Sequence, residues 1–251
     1  MNPSKPLISI ITVTYNAQSA LSPTIKSVNE QTWIDYEHII VDGASKDSTI
    51  QIAKSLSTEK TRIISERDNG IYDAMNKGIR MANGKYLIFL NAGDAFHCEK
   101  TLEKIANTIL TNNYPGVVYG QTQLVDDNRK RIADRHLTAP ETLTFKSFSN
   151  GMLVCHQAFV ASALITPEYN LKYRFSADYD WCIRCLQKSE SNILIPEILI
   201  DYLNEGVTTA NHKASLKERL HIMRHYYGLC RTIINHLSFI PRYIANKSKQ
   251  K

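Results

Sequence analysis

The sequence predicts an α/β protein: a single Rossmann-like, mostly parallel central sheet flanked by helices, followed by a C-terminal helical extension. Three observations carry that prediction. Short apolar runs without strict alternation end repeatedly on Asp, Asn or Gly, as strands buried on both faces do. Stretches with apolar residues three and four apart lie between them, the period of a helix packed on one side. At 251 residues with 43% hydrophobic and 22% charged content, the chain can bury a sizeable core and lies far from the disordered class.

The elements follow in order. LISIITVTYN (7–16) is a β-branched strand that turns polar at Thr14, Tyr15 and Asn16. SALSPTIKSVNEQ predicts a helix with Ser22 as N-cap, Pro23 in the first turn, and Ile25 and Val28 on one face. HIIVDGAS (38–45) is a second strand, stopped by Asp42 and Gly43. SKDSTIQIAKSLS and IYDAMNKGIRMA space Ile50, Ala53 and Leu56, then Ile71, Met75, Ile79 and Ala82, as helices. YLIFLNAGD (86–94) is the third strand, ending at Asn91, Gly93 and Asp94. In an open parallel sheet, ligands bind outside the carboxyl ends of the strands. Tyr15, Asn16, Asp42 and Asp94 are therefore expected to gather at one rim.

Beyond residue 100, TLEKIANTILTN reads as a helix and GVVYGQTQLVDDNRKRIAD as a hairpin turning at Asp127–Asn128. YRFSADYDWCIRCLQK (173–188) reads as a helix with Ser176 as N-cap, Asp178 in the first turn, and Trp181, Cys182 and Cys185 facing inward. No second Cys/His pair accompanies Cys182 and Cys185 at zinc-ligand spacing, so they are expected to be core thiols. Five scattered cysteines, with no secretory leader before Ile8, fit a reducing cytoplasm.

Charge divides the chain. From Asn211 to Lys251 there are nine Lys/Arg and one acid, Glu218, a net of +8; since the total is +6, residues 1–210 sum to −2. A slightly acidic body with no base-stacking motif argues against a nucleic-acid-binding protein. No apolar run reaches the roughly 20 residues of a membrane span. The extension instead mixes Leu216, Leu220, Met223 and Tyr227 with positive charge. That pattern suits either an anionic membrane surface or packing on protein with a solvated basic face.

The stretches ISIITVTYNA, VDGASKDSTI and SERDNGIYDAMNKGIRMANGKYLIFLNAGD resemble glycosyltransferase family 2, of the GT-A fold, in its bacterial exopolysaccharide and O-antigen form. The resemblance runs over about residues 6–210, with a nucleotide-binding half to about 100 and an acceptor half beyond. It implies an inverting transferase that moves a sugar from a UDP- or GDP-linked donor to a glycan or lipid-linked acceptor, with Mg²⁺ or Mn²⁺. Donor-binding residues by this likeness are Tyr15, Asp42 (to a base N–H), Asp68, Asp73, Asn76, Asn91 and Asp94. Asp73 and Asn76, three apart on a helix, are expected to share a face. Asp94 is the expected metal ligand, because a hard cation takes carboxylate and phosphate oxygens. The family's Asp-x-Asp is reduced here to Asn91-Ala92-Gly93-Asp94.

On the acceptor side the likeness places His156 and Gln157, and it aligns Asp178 with the general base; Asp180, also on the acceptor side, is the rival for that role. Residues two apart on a helix do not share a face, so Asp178 and Asp180 are not expected to serve one acceptor together. A loop at 202–212 resembles a Gly-x-Ser/Thr segment, with His212 as a candidate metal ligand. A sugar nucleotidyltransferase is the rival enzyme, but that class carries a glycine-rich basic loop after the first strand, where this chain has TYNAQSALS.

Overall fold

The computed structural model describes residues 5–135, 137–203 and 212–235. β1 (Ile8–Thr14), α1 (Leu21–Asn29), β2 (Tyr36–Asp42), α2 (Thr49–Ser55), β3 (Thr61–Ser65), α3 (Ile71–Met81) and β4 (Tyr86–Phe89) make the first half. β5 (Ala95–Phe96), α4 (Thr101–Thr111), β6 (Val117–Val125), β7 (Arg131–Asp134), β8 (Phe159–Ser162), α5 (Ala177–Lys188), β9 (Asn192–Leu203) and α6 (His212–Tyr227) follow.

All strands join one nine-stranded sheet in the order β3-β2-β1-β4-β8-β6-β9-β5, with β7 on β6. β3, β2, β1 and β4 run parallel; β8 pairs antiparallel with both β4 and β6, and β6 returns to a parallel pairing with β9. The sheet is thus parallel through the nucleotide-binding half and mixed beyond it. β1 and β2 are buried at every residue, which explains why their sequences run apolar rather than alternate. β3, β8 and β9 carry weaker patterns; β3 is only partly covered.

Register aligns the strand ends. Thr14 pairs with Asp42, Asp42 with Ser65, and the turn after β4 continues the pairing as the Ala92 N–H donates to the Val13 carbonyl at 3.3 Å. Four chain segments therefore end at one rim. α3 lies against β1 so closely that a side chain on Gly78 would meet the Ile11 Cγ2 at 2.4 Å; that contact needs a glycine in mid-helix.

Of the two expected helix starts, one is corrected. α1 begins at Leu21 with Ala20 in the cap position and no side-chain cap bond, so Ser22 lies inside the first turn. Ser176 does occupy the cap position of α5, but its hydroxyl turns away to the Ser215 carbonyl, 3.2 Å, and hydroxyl, 3.0 Å. Cys182 and Cys185 are free and fully buried, as expected.

α6 packs on the core rather than standing apart from it. Ile222 and Met223 join the same buried cluster as Trp181 and Phe89. Glu218, the one acid of the basic segment, accepts the backbone N–H groups of Arg174 and Phe175 at 2.9 Å each, just ahead of α5.

Candidate active site

The rim opens into a cleft of about 960 Å³ lined by the β1 end, the Asp68–Ala74 turn into α3, Asn91–Ala92, and Leu171–Phe175. That volume suits a nucleotide-sized ligand.

At one end, Tyr15 is 60% exposed and presents its ring. A side chain on Gly43 would meet Asp68 Oδ2 at 2.5 Å and the Tyr15 ring at 3.2 Å, so a glycine there lets those two groups close around the strand end. Asp68 Oδ1 accepts the Gly70 N–H at 2.9 Å, which leaves Oδ2 beside Tyr15. Asp73 lines the cleft while its Oδ2 accepts from the Asn69 backbone at 2.9 Å and side chain at 3.3 Å.

On the floor, the hydroxyl of Thr14 and the Oδ1 of Asn91 are buried without hydrogen-bond partners. Buried polar atoms are rarely left unpaired, so both are positioned to bind something. The Asn91–Asp94 turn is clamped from α1: the Gly93 N–H donates to Thr24 Oγ1 at 3.0 Å and Thr24 donates to the Asp94 carbonyl at 2.7 Å. Gly93 has φ +105, a conformation other residues rarely adopt.

Three expected donor residues do not present free groups to the cleft. Asp42 is fully buried; it accepts from the Ser45 N–H at 2.9 Å, the Ser65 hydroxyl at 2.7 Å, and the Ser45 hydroxyl. It braces the loop after β2. Asn76 shares no open face with Asp73, because its amide is spent on Tyr169, donating to the carbonyl at 3.0 Å and accepting the N–H at 2.6 Å. It pins Tyr169, which stacks between Tyr72 (5.4 Å) and Trp181 (5.2 Å). Asp94 is 4% exposed; its Oδ2 accepts from Gln157 Nε2 at 2.8 Å and its Oδ1 from the Leu203 N–H at 3.1 Å. Burial raises its pKa to about 7 despite those two bonds.

The residues fit a divalent cation of one kind only. Among the described residues no three His, Cys, Asp or Glu side chains gather as a cage. Asp94 contributes one carboxylate and Asn91 one unpaired amide oxygen. A Mg²⁺-like ion is commonly held by one or two carboxylates and substrate phosphates, so the set suits a cation that arrives with a diphosphate.

Asp178 stands next to the cleft, bonded to its lining residue Tyr72. Its Oδ1 accepts from the Tyr72 hydroxyl at 3.1 Å and the Tyr179 N–H at 2.9 Å, and its Oδ2 lies 3.9 Å from His156 Nδ1. The carboxylate side chain keeps 18% exposure. Tyr72 both lines the cleft and bonds Asp178; sequence reasoning missed it because an aromatic on a helix face reads as core. His156 is buried, which lowers its pKa even against the pull of Asp178, and its Nε2 has no partner.

Asp180 is not on the acceptor side. It is 2% exposed and bonds Arg184 Nε at 2.7 Å and the Tyr226 hydroxyl at 2.8 Å, tying α5 to α6. Of the loop expected at 202–212, Tyr202 and Leu203 end β9; residues 204–211 lie outside the described residues, as does the side chain of His212.

A parallel half-sheet with a nucleotide-sized cleft at its carboxyl rim, continued by a mixed half that presents an acid, is the architecture of GT-A glycosyltransferases. A family model described as glycosyl transferase family 2 matches residues 9–164. A PGL/p-HBAD biosynthesis glycosyltransferase of Mycobacterium bovis (strain BCG / Pasteur 1173P2) is 33% identical over 222 residues, 86% of this chain and 80% of that one. The putative teichuronic acid biosynthesis glycosyltransferase TuaG of Bacillus subtilis (strain 168) is 28% identical, covering 88% and 92%. Among solved structures, S. aureus TarS 1-349 in complex with UDP-GlcNAc is similar with a TM-score of 0.69 at 16% identity, over 92% of this chain and 73% of that chain. The mannosyltransferase PcManGT from Pyrobaculum calidifontis, in complex with GDP-Man and Mn2+, has a TM-score of 0.64 at 14% identity, over 88% and 64%. The chain belongs to glycosyl transferase family 2. It is a glycosyltransferase.

Proposed function

We propose that the protein is an inverting glycosyltransferase that moves a sugar from a UDP- or GDP-linked donor to a hydroxyl of a glycan or lipid-linked acceptor in surface polysaccharide synthesis. The observation that carries this reading is Tyr72, which lines the donor cleft and also donates to Asp178. It brings a proton acceptor within one side chain of the nucleotide pocket.

In this reading Tyr15 and Asp68 receive the nucleoside, with Asp73 further along the cleft. Thr14 and Asn91 meet the sugar or diphosphate through their unpaired oxygens. Asp178 takes the proton of the acceptor hydroxyl as its oxygen forms a bond to the anomeric carbon. The bond to the nucleoside diphosphate breaks on the opposite face, and its electron pair departs on the β-phosphate oxygen. His156, 3.9 Å from Asp178, stands on the acceptor side, whereas Gln157, expected there as well, is buried and bonded to Asp94 at 2.8 Å and serves the donor end. A divalent cation, held by Asp94 and Asn91 together with the phosphates, would neutralise charge developing on the leaving group.

The relatives named for PGL/p-HBAD biosynthesis and teichuronic acid biosynthesis support a glycan acceptor. α6 exposes Leu216 and Leu220, and the following segment Leu229, Ile233 and Ile234, beside exposed Lys213, Lys217 and Arg224. This supports peripheral contact with an anionic membrane on its cytoplasmic face. Among the described residues no helix is long and apolar enough to cross one.

Asp178→Asn tests the reading. Transfer from UDP- and GDP-sugars should vanish while donor binding by calorimetry persists, and NMR of the wild-type product should show an inverted anomeric centre. Near-wild-type transfer by the variant would remove Asp178 from the role.

A further inference from the structure

We propose that Arg129, at the tip of the β6–β7 hairpin, is a diphosphate-binding residue: its guanidinium stands beside Asp94 and takes the terminal phosphate of the nucleoside diphosphate. The proposal rests on the donor reading above.

The hairpin VDDNRKRIAD is built to hold one residue in place. Asp126 Oδ1 accepts the N–H groups of Asn128 at 3.0 Å and Lys130 at 2.8 Å. The Arg129 N–H donates to the Asp126 carbonyl at 2.9 Å, and the Asp126 N–H to the Lys130 carbonyl at 3.0 Å. Arg129 sits at φ +62, a region that is unfavourable for a residue with a side chain and persists where surrounding bonds enforce it. Register then sets the tip over the acid: Val125, the last residue of β6, pairs with Leu203, whose N–H is bonded to Asp94 at 3.1 Å.

The guanidinium so placed is half-buried, and its Nη1 has no hydrogen-bond partner. The carboxylates whose charge acts on it are Asp94, Asp201 and Asp127. Two of these carboxylates also accept other hydrogen bonds. Asp201 accepts from His97 and Gln123 at 2.7 Å each, and Asp94 accepts from Gln157 and Leu203. A buried, unsatisfied charged donor is costly, and a planar guanidinium matches phosphate oxygens with paired N–H groups. Charge balance points the same way. With Asn91 where a second acid would stand, the turn behind the cleft residues Asn91 and Ala92 carries one carboxylate, Asp94, offset by one guanidinium, a setting that receives a diphosphate with less repulsion than two acids would.

The test is calorimetry on the full chain with UDP and GDP against UMP and GMP, in Mn²⁺ and again in EDTA, for wild type, Arg129→Gln, Arg129→Lys and Arg129→Gly. Arg129→Gln and Arg129→Gly should weaken diphosphate binding about tenfold or more and leave monophosphate binding unchanged, with Arg129→Lys between. The Gly variant suits the backbone at φ +62, so it carries the comparison if the Gln variant folds poorly. Equal losses for mono- and diphosphate, or no loss for either, would overturn the proposal while leaving the donor reading intact. Absence of any nucleotide binding by the wild type would overturn both.

Discussion

The side-chain amide of Gln157 donates to the carboxylate of Asp94 at 2.8 Å, and the residue before it, His156, lies 3.9 Å from Asp178. One turn of 3₁₀ helix, His156–Ala158, thus touches both functional acids, one at the donor's diphosphate end and one at the acceptor's. Replacing Gln157 by Leu should strip Asp94 of one of its two donors. A lost bond to a buried charged group is worth about 1.5–3 kcal/mol, so thermal or urea denaturation should register a drop of that size at neutral pH. Donor affinity measured by calorimetry should fall with it.

Tyr72 is predicted to position Asp178 rather than to react. Removing its hydroxyl in Tyr72→Phe deletes the 3.1 Å bond and keeps the ring stack on Tyr169. A bond of about 1 kcal/mol corresponds to roughly a fivefold loss. Steady-state kinetics should place it in kcat, with the donor KM nearly unchanged. A shift confined to KM would make Tyr72 a binding residue instead.

Asp180 is predicted to hold the fold and not the acceptor. Its carboxylate is 3% exposed and paired with Arg184. Asp180→Ala should therefore destabilise on the order of 3 kcal/mol, because a buried charge pair loses one member. Transfer assayed well below the new unfolding temperature should stay within a few-fold of wild type. Strong loss of transfer in the folded variant would return Asp180 to the site.

His38 gives the fold a pH dependence. It is buried in β2, where desolvation lowers its pKa from 6.5 to about 3. The neutral form is the folded one, so the stability it allows is complete above pH 6.5. It is lost as pH falls through 6.5 toward 3, while the unfolded chain takes up the proton. Between pH 7 and pH 5 that amounts to about 2 kcal/mol. Asp94, raised to about 7, acts with the opposite sign, since its protonated form suits the interior. The effect of His38 is therefore read as a difference. The gap in unfolding free energy between wild type and His38→Gln should change by about 2 kcal/mol over that range, in the direction that favours the variant at low pH.

The sequence alone determined the architecture of the first hundred residues and the place of the cleft. Apolar runs such as ISIITVT and YLIF have no stable home except a sheet covered on both faces, and their polar ends must then meet at its carboxyl rim. Tyr15 and Asn91 reach the cleft for that reason, Asp68 and Asp73 reach it from the turn into α3, and Asp178 heads its helix because Ser176 ends the loop before it. Tertiary structure alone decided how each polar group is used. A carboxylate's role depends on which donors fold against it: Ser45 and Ser65 consume Asp42, Tyr169 consumes Asn76, and Arg184 with Tyr226 consumes Asp180. Ser65, Tyr226 and Tyr169 lie 23, 46 and 93 residues from the groups they bind, beyond the reach of any local pattern. The same holds for Tyr72 and Arg129. Periodicity and turn chemistry place each in its element, and only the packing of that element against Asp178 or Asp94 shows what the side chain faces.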